Sequence, residues 1–280
     1  MKEAQYKKKP PVCLIIAGLD PSGGAGIIAD IKTFSAFGCF AAAAVTSVTF
    51  QNTTGVFGSV HQTGDSVRRQ VEPVLDDYDV AAVKTGMLPT REIIEEVARL
   101  IANRGLRKVV VDPVIRSTSG IDLIDDAALA VLIEKLFPLA DLITPNIPEA
   151  ERIAGIEIVS ADDMIRAASI MRSMGARNVL IKGGHFFEKG RRGEGEKGRR
   201  GEKRMARDYL FIGNDLQVFE AEFIDTEATH GTGCVLSSAI AANLALGKDL
   251  SEAVAVAKEF VTEAIRTAPG LGHGHSPINL

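Results

Sequence analysis

The chain has 280 residues, a formal net charge of −4 and 46% apolar residues, with aromatics at only 5% and no tryptophan. A chain of this length can bury roughly 75% of the surface its unfolded form exposes, so no disulfide or metal staple is required. The negative charge gives a nucleic-acid partner no overall support, and the apolar run VCLIIAG behind a charged N-terminus is too short for a membrane span or a signal peptide. Cys13, Cys39 and Cys234 form no CxxC pair, which suits a reducing compartment, and a cytoplasmic protein is expected.

Short apolar runs alternate with amphipathic helical patterns along the chain. The strands expected are Val12–Gly18, Ala41–Thr49, Val80–Lys84, Lys108–Asp112, Asp141–Thr144 and Asn178–Lys182. The helices expected are Ala25–Phe37, Val67–Leu75, Arg91–Asn103, Asp125–Leu136, Asp162–Met174, Gly233–Leu246 and Ser251–Thr267. This alternation predicts an α/β fold with a mostly parallel sheet and helices on both faces. A flexible N-terminus over 1–11 and a single domain over 12–280 follow. From Glu188 to Arg207 the chain is almost wholly Gly, Lys, Arg and Glu, with nine basic residues against four acidic and the hexad KGRRGE twice. Such a segment buries little apolar area, so a mobile basic loop is expected there; a flap that attracts phosphate is the sharper alternative.

Ligands of parallel sheets bind beyond the carboxyl ends of the strands. The residues at those places are polar or glycine-rich: Asp20-Pro-Ser-Gly-Gly-Ala-Gly, Gln51-Asn-Thr-Thr-Gly, Lys84-Thr-Gly-Met, Asp112-Pro, Asn146-Ile-Pro-Glu and Lys182-Gly-Gly-His. The strongest single signal is Thr229-His-Gly-Thr-Gly-Cys234 leading into an Ala-rich helix. Its glycines let successive N–H groups converge, and the helix dipole adds positive charge, so Gly231, Thr232 and Gly233 predict an anion hole; an ordinary glycine-rich helix start is the alternative. Cys234 falls in the first helical turn, where a thiolate is stabilised, and it stands where a base must act; a plain buried cysteine is the alternative.

The opening Gly18-Leu-Asp-Pro-Ser-Gly-Gly-Ala-Gly is not a Walker A loop, since Gly24-Ala25 stands where Lys-Ser/Thr is required. A dinucleotide fingerprint is matched only in its permissive form by Gly24-Ala-Gly-Ile-Ile-Ala29, and Ala43–Gln51 supplies no acid for a ribose, which speaks against an oxidoreductase. Asn146 and Glu149 have capping-box spacing, or share a face that holds hydrated magnesium, with Asp112 as a further acid. Lys182 is a strand-end cation suited to phosphates. His273-Gly-His275 reads as a flexible tail rather than a metal site.

Taken together, IAGLDPSGGAGIIADIKTFSAFG, QNTTGV, KTGML, VDPV, LITPNIPEA, IKGGH and THGTGC resemble, in order and spacing, the hydroxymethylpyrimidine/phosphomethylpyrimidine kinases of the ribokinase-like superfamily. The resemblance covers nearly the whole chain. It implies a three-layer α/β/α fold, ATP and Mg2+, and sequential phosphorylation of 4-amino-5-hydroxymethyl-2-methylpyrimidine to the mono- and diphosphate. Carried across by position, it assigns Gln51, Gly18, Ala25, Asp30 and Met87 to the pyrimidine pocket and Lys182 to phosphate. It assigns Asp112, Asn146 and Glu149 to the magnesium region, Gly231–Gly233 to the anion hole and Cys234 to the base. A homo-oligomer is expected as well. Leu19 and the basic insertion after Lys182-Gly-Gly-His depart from the family pattern. Two other readings stand beside this one: a pyridoxal or pyridoxine kinase on the same fold, and a non-catalytic pyrimidine-binding protein.

Overall fold

The computed structural model describes residues 9–117, 120–184 and 204–280. Chain order begins β1 (Val12–Leu19), α1 (Gly26–Ala36), β2 (Phe40–Asn52), β3 (Gly55–His61), α2 (Gly64–Asp77), β4 (Val80–Thr85) and α3 (Arg91–Asn103). It continues with β5 (Val109–Val111), α4 (Asp126–Leu136), β6 (Leu142–Ile143), α5 (Ile147–Ala154), α6 (Ala161–Ser173) and β7 (Asn178–Lys182). After an antiparallel pair, β8 (Met205–Ile212) and β9 (Asp215–Glu222), the chain ends in α7 (Thr232–Ala245) and α8 (Leu250–Arg266).

The strands form one sheet in the order β3-β2-β1-β4-β5-β6-β7-β8-β9. Strands β2, β1, β4, β5, β6 and β7 are parallel, and antiparallel β3 and β8–β9 extend the two edges. The order reverses at β1, and the carboxyl ends beside such a reversal open a crevice for ligands. No described helix is long and apolar enough to cross a membrane.

The short strands are apolar throughout because both faces are covered. Leu14, Ile16, Val83, Val109, Val111 and Ile143 point to the face packed by α2 to α6. The alternate residues Cys13, Ile15, Ala82, Val110 and Leu142 pack against α1, α7 and α8. Helix α7 is buried around most of its circumference, which explains its Ala- and Ser-rich composition: small side chains let the sheet, α1 and α8 all approach it. Caps fix several helix starts, with Thr63, Thr90, Asp125, Ser160 and Asp249 each accepting from a backbone N–H in the first turn.

The three-layer α/β/α expectation holds, and the expected strands and helices lie within three residues of those observed. Four elements escaped the periodicity. β2 runs three residues beyond Thr49 and pairs with β3 through Thr53-Thr54. β8 is buried over Asp208–Phe211 without alternation, and β9, an edge strand, mixes polar and apolar residues, so neither registers as a period in the sequence. Helix α5 was expected only as a start at Asn146. The basic-loop expectation over 188–207 lies mostly outside the described residues, and its last part is corrected: Met205–Arg207 belong to β8. The flexible N-terminus likewise falls largely outside them.

Phe34 is fully buried between α1 and α7. Phe34→Ala should destabilise the protein by about 3–5 kcal/mol in a urea titration; a loss under 1 kcal/mol would show that this layer closes over the void.

Candidate active site

Two turns meet above the carboxyl ends of β1 and β4. The first follows β1 and is folded by Asp20, whose carboxylate accepts from Ser22 N at 2.8 Å and Ala25 N at 3.0 Å. The same carboxylate meets His230 Nε2 at 2.7 Å, in the second turn just before α7. Burial alone would raise the Asp20 pKa, but the hydrogen bonds from His230 and Ser22 outweigh it and hold it below the usual range. Gly26 has φ +56°, and a Cβ there would stand 2.4 Å from the Gly18 carbonyl oxygen, so the first turn requires glycine.

Helix α7 starts at Gly231 with φ +84° and no side-chain cap. Gly231, Thr232 and Gly233 line the cavity at this helix start, with the dipole behind them, and the Thr232 N–H donates to Thr229 O at 3.3 Å. Lys182 closes the other side. An ideal Cβ on Gly233 would lie 3.1 Å from Lys182 Nζ, so the glycine makes room for the ammonium.

Lys182 Nζ also donates to Asp112 Oδ1 at 2.8 Å. Thr144 Oγ1 lies 3.1 Å from the same oxygen and 2.8 Å from Ser237 Oγ, and Ser237 donates to the Gly233 carbonyl at 2.9 Å. A hydrogen-bonded chain thus runs from Asp112 to the anion hole. Burial would raise Asp112, but Lys182 and Lys84 outweigh it and keep the carboxyl below its ordinary value.

Asn146 and Glu149 form the full capping box of α5: Asn146 Oδ1 accepts from Glu149 N at 2.9 Å and Glu149 Oε2 from Asn146 N at 2.8 Å. Glu149 Oε1 accepts from Ile115 N at 3.1 Å. Burial dominates this carboxyl and pushes its pKa up, with Lys182 only partly compensating. Both residues line the same cavity as Asp112 and Lys182. Among the described residues no group of three His, Cys, Asp or Glu could hold a metal ion on its own. Two carboxylates beside a phosphate site instead suit magnesium that arrives with a nucleotide and keeps most of its waters.

The cavity has a volume of about 510 Å³ and joins this phosphate end to a second end near β2. Gly18, Ala25, Gln51 and Met87 line it as expected. Thr49 Oγ1 meets both the Leu19 carbonyl, at 2.9 Å, and Gln51 Oε1, at 3.0 Å, which orients the Gln51 amide. Met87 covers Gly18: a Cβ there would stand 3.1 Å from Met87 Sδ. The C-terminal segment clasps the β2–β3 turn. His275 N donates to Thr53 O at 2.8 Å, and His273 N and Gly274 N donate to Thr53 Oγ1 at 3.2 and 3.3 Å. The expectation of a free tail is therefore corrected: backbone donors in this segment dock onto the turn, and His275 lines the cavity.

Two further corrections concern charge. Asp30 does not line the cavity. It is fully buried beneath the site, with Lys84 Nζ donating to both its oxygens at 2.9 and 2.8 Å and Ser238 Oγ at 2.7 Å. The lysine of KTGML occupies the cavity wall in its place, a role that could have been read from an unpaired strand-end lysine beside glycine. Asp30 keeps that lysine charged, despite a burial that opposes charge. Cys234 is half-buried at the start of α7. Burial pushes its thiol up to about 11, and Lys84 offsets this only in part. Desolvation thus outweighs the helix end.

An anion hole at a helix start, a lysine pressed against it and paired carboxylates beside a deep cavity define a small-molecule kinase of the ribokinase-like fold. The sequence model of the phosphomethylpyrimidine kinase family matches residues 20–279, and the chain belongs to that family. It is 43% identical over 266 residues to the hydroxymethylpyrimidine/phosphomethylpyrimidine kinase of Bacillus subtilis strain 168, covering 95% of this chain and 93% of the relative. It is similar to the crystal structure of phosphomethylpyrimidine kinase from Clostridium difficile 630, with TM-score 0.76, 41% identity and coverage of 92% and 100%. An ADP complex of Bacillus subtilis pyridoxal kinase is also similar, with TM-score 0.83, 37% identity and 97% of each chain covered.

With its thiol near 11, Cys234 should react with iodoacetamide at pH 8 at least tenfold more slowly than free cysteine. The alkylation rate should climb steadily toward pH 11; a plateau below pH 8 would show a preformed thiolate. Gly233→Ala, which drives a methyl group at Lys182, should lower turnover by about 10²–10³, and an unchanged steady-state rate would remove this contact from the chemistry.

Proposed function

We propose that the chain transfers the γ-phosphoryl group of ATP to the hydroxymethyl group of 4-amino-5-hydroxymethyl-2-methylpyrimidine, and then to the monophosphate, in thiamin biosynthesis. The observation that carries this reading is the single cavity in which Gln51, Gly18 and Met87 stand at one end and Gly231–Gly233 with Lys182 at the other. An aminopyrimidine offers ring-nitrogen acceptors, and the Gln51 amide nitrogen is left to donate to one of them. The alcohol then lies toward the α7 N-terminus, in line with the phosphoryl group.

Charge in such a transfer spreads over three equatorial oxygens, so positioning and electrostatics supply most of the catalysis. The first-turn N–H groups of α7 receive that charge, and Lys182 neutralises it from the side. Magnesium, held through Asp112, Glu149 and Asn146, would supply further neutralisation on the phosphates. Cys234 takes the alcohol proton. At neutral pH only a minor thiolate population serves as the base, so kcat should rise with pH well above pH 8.

Residues 12–280 act as one kinase unit in this reading, supported by the one sheet that runs from β1 to β9. The reaction belongs in the cytoplasm, where ATP is available. A homo-oligomer is part of the same proposal, supported by the open edge of β3, where Phe57 and Val60 are exposed; sedimentation velocity tests it, and a monomer at all concentrations would sink it. Pyridoxal phosphorylation is the second reading, favoured by the likeness to the pyridoxal kinase fold.

Mg-ATP turnover, followed as ADP release with product mass, should be rapid with the pyrimidine alcohol and yield mono- and then diphosphate. A preference for pyridoxal would move the protein to the second reading, and binding without ADP release would leave only a pyrimidine-binding protein. Cys234→Ala should cut kcat by about 10²–10⁴ while pyrimidine affinity stays within a few-fold. Near-normal turnover would take Cys234 out of the mechanism.

A further inference from the structure

Lys84 is a buried cation to which the proposed transfer gives no task. It is fully buried at the end of β4, yet it lines the cavity, as Cys234 does. Its Nζ donates to both oxygens of Asp30, and Ser238 Oγ donates to one of them at 2.7 Å. An ideal Cβ on Gly86 would lie 3.0 Å from that Nζ, so the glycine leaves room for the ammonium. The groups that hold Lys84 come from two helices packed side by side. Asp30 is one turn beyond Gly26, the first residue of α1, and Ser238 is one turn beyond Cys234, in the first turn of α7. The Ser238–Asp30 hydrogen bond ties the second turns together, and in the first turns the Gly26 N–H meets the Cys234 thiol.

A buried pair of this kind adds little net stability, because desolvation of the two charges offsets their attraction. What it does supply is a fixed positive charge facing the thiol. Lys84 from β4 and Lys182 from β7 face Cys234 as cations, and Asp30 from α1 and Asp112 beyond β5 face it as anions. Lys182 is engaged with Asp112 and pressed against Gly233. Lys84 exerts the largest pull toward the thiolate, and the two carboxylates oppose it. Burial still outweighs that pull, so the thiolate is a minor form whose population rests on this ammonium.

We propose that Lys84 is a positioning residue for the proton transfer at Cys234, a counter-charge to the thiolate that Asp30 and Ser238 hold in place. In the step itself the thiolate takes the alcohol proton, the alcohol oxygen keeps the electron pair and attacks phosphorus, and Lys84 exchanges no proton. The inference rests on the reading of Cys234 as the base, and the test separates the two. Alkylation of Cys234 by iodoacetamide is followed on its own peptide by mass spectrometry, from neutral to alkaline pH, for the native protein, Lys84→Met and Asp30→Asn/Lys84→Met. Steady-state turnover of the pyrimidine alcohol with Mg-ATP is measured beside it. The double variant leaves no uncompensated buried carboxylate, so a folding defect in Lys84→Met does not decide the outcome. Both variants should alkylate about tenfold more slowly at neutral pH, with the profile moved to higher pH, and kcat should fall by about the same factor while KM stays within a few-fold. An unchanged alkylation profile in the double variant overturns the inference even if kcat falls, and leaves Cys234 standing as the base. A moved profile with native kcat also overturns it, since the charge would not serve the transfer. Near-normal turnover of Cys234→Ala removes the reading on which the inference rests. Asp30→Asn/Lys84→Gln gives the same comparison should the first double variant not fold.

Discussion

The site exists because two turns, separated by most of the chain, touch backbone to backbone. A Cβ on Gly231 would lie 1.8 Å from the Gly24 carbonyl oxygen, and one on Gly24 would lie 2.4 Å from the His230 ring. No other residue fits either place. The Asp20–His230 pair locks the contact, and the His230 backbone N–H in turn reaches Ser276 O at 3.3 Å. The start of α7 is thereby fixed against the end of β1. Since one end of the cavity is built on β1 and β2 and the other on the start of α7, this one contact fixes the distance between them, which in the proposed reading is the path of the phosphoryl group. The register slips in β1–β2 at Ala17/Gly18 and in β2–β3 at Phe50/Gln51 aim the adjoining residues into the same space.

Beneath and around that contact lie more charges than a core of this size would hold for stability. Lys84 with Asp30, Lys182 with Asp112 and Lys258 with Asp208 are all buried pairs. Replacing such a pair by apolar groups often costs nothing, so their presence answers to function rather than to folding. Two of the three lysines stand beside the phosphate path, each beside a glycine that leaves room for its ammonium, Lys84 at Gly86 and Lys182 at Gly233. The carboxylates keep these ammoniums charged and in place. Glu149 is the exception. Its charge is disfavoured by burial and only partly compensated, which makes it the group most ready to gain from a cation delivered with the nucleotide.

Most of this plan was legible in the sequence because its signals are local. Glycine-rich turns after apolar strands announced the crevice, and Gly231-Thr-Gly-Cys announced the helix end. What escaped depends on distance in space. Asp30 looks like a site residue in its motif, but Lys84, 54 positions later, turns it into a buried counter-ion. A cysteine in a first helical turn has a stabilised thiolate only while desolvation stays small; at Cys234 desolvation raises the thiol and Lys84 offsets it only in part. Lys258 and Asp208 sit in unremarkable helix and strand patterns, and only the fold brings them to one wall. The strands β8 and β9 give the sequence no clean period, β8 because it is buried over Asp208–Phe211 and β9 because polar and apolar residues mix along an edge. The Gly-His-Gly segment read as a tail, since nothing local tells that Thr53 waits for its N–H groups.

The division of labour inside the cavity follows from these placements. The phosphate end is made of backbone N–H groups and paired lysines, which read charge and geometry and take no account of which ring carries the alcohol. Ring choice must therefore rest on the other end. There the Gln51 amide is oriented by Thr49, Met87 sets the depth of the slot over Gly18, and the β2–β3 turn is held down by the C-terminal segment. A donor facing a ring nitrogen suits either an aminopyrimidine or a pyridine, so Gln51 alone discriminates poorly between them. Depth and closure discriminate better, because a slot floored by glycine and roofed by a thioether punishes substituents in one direction only. In the proposed reading selectivity on this scaffold rests on Met87 and the clasped turn, and it can change without disturbing the Gly24–Gly231 contact.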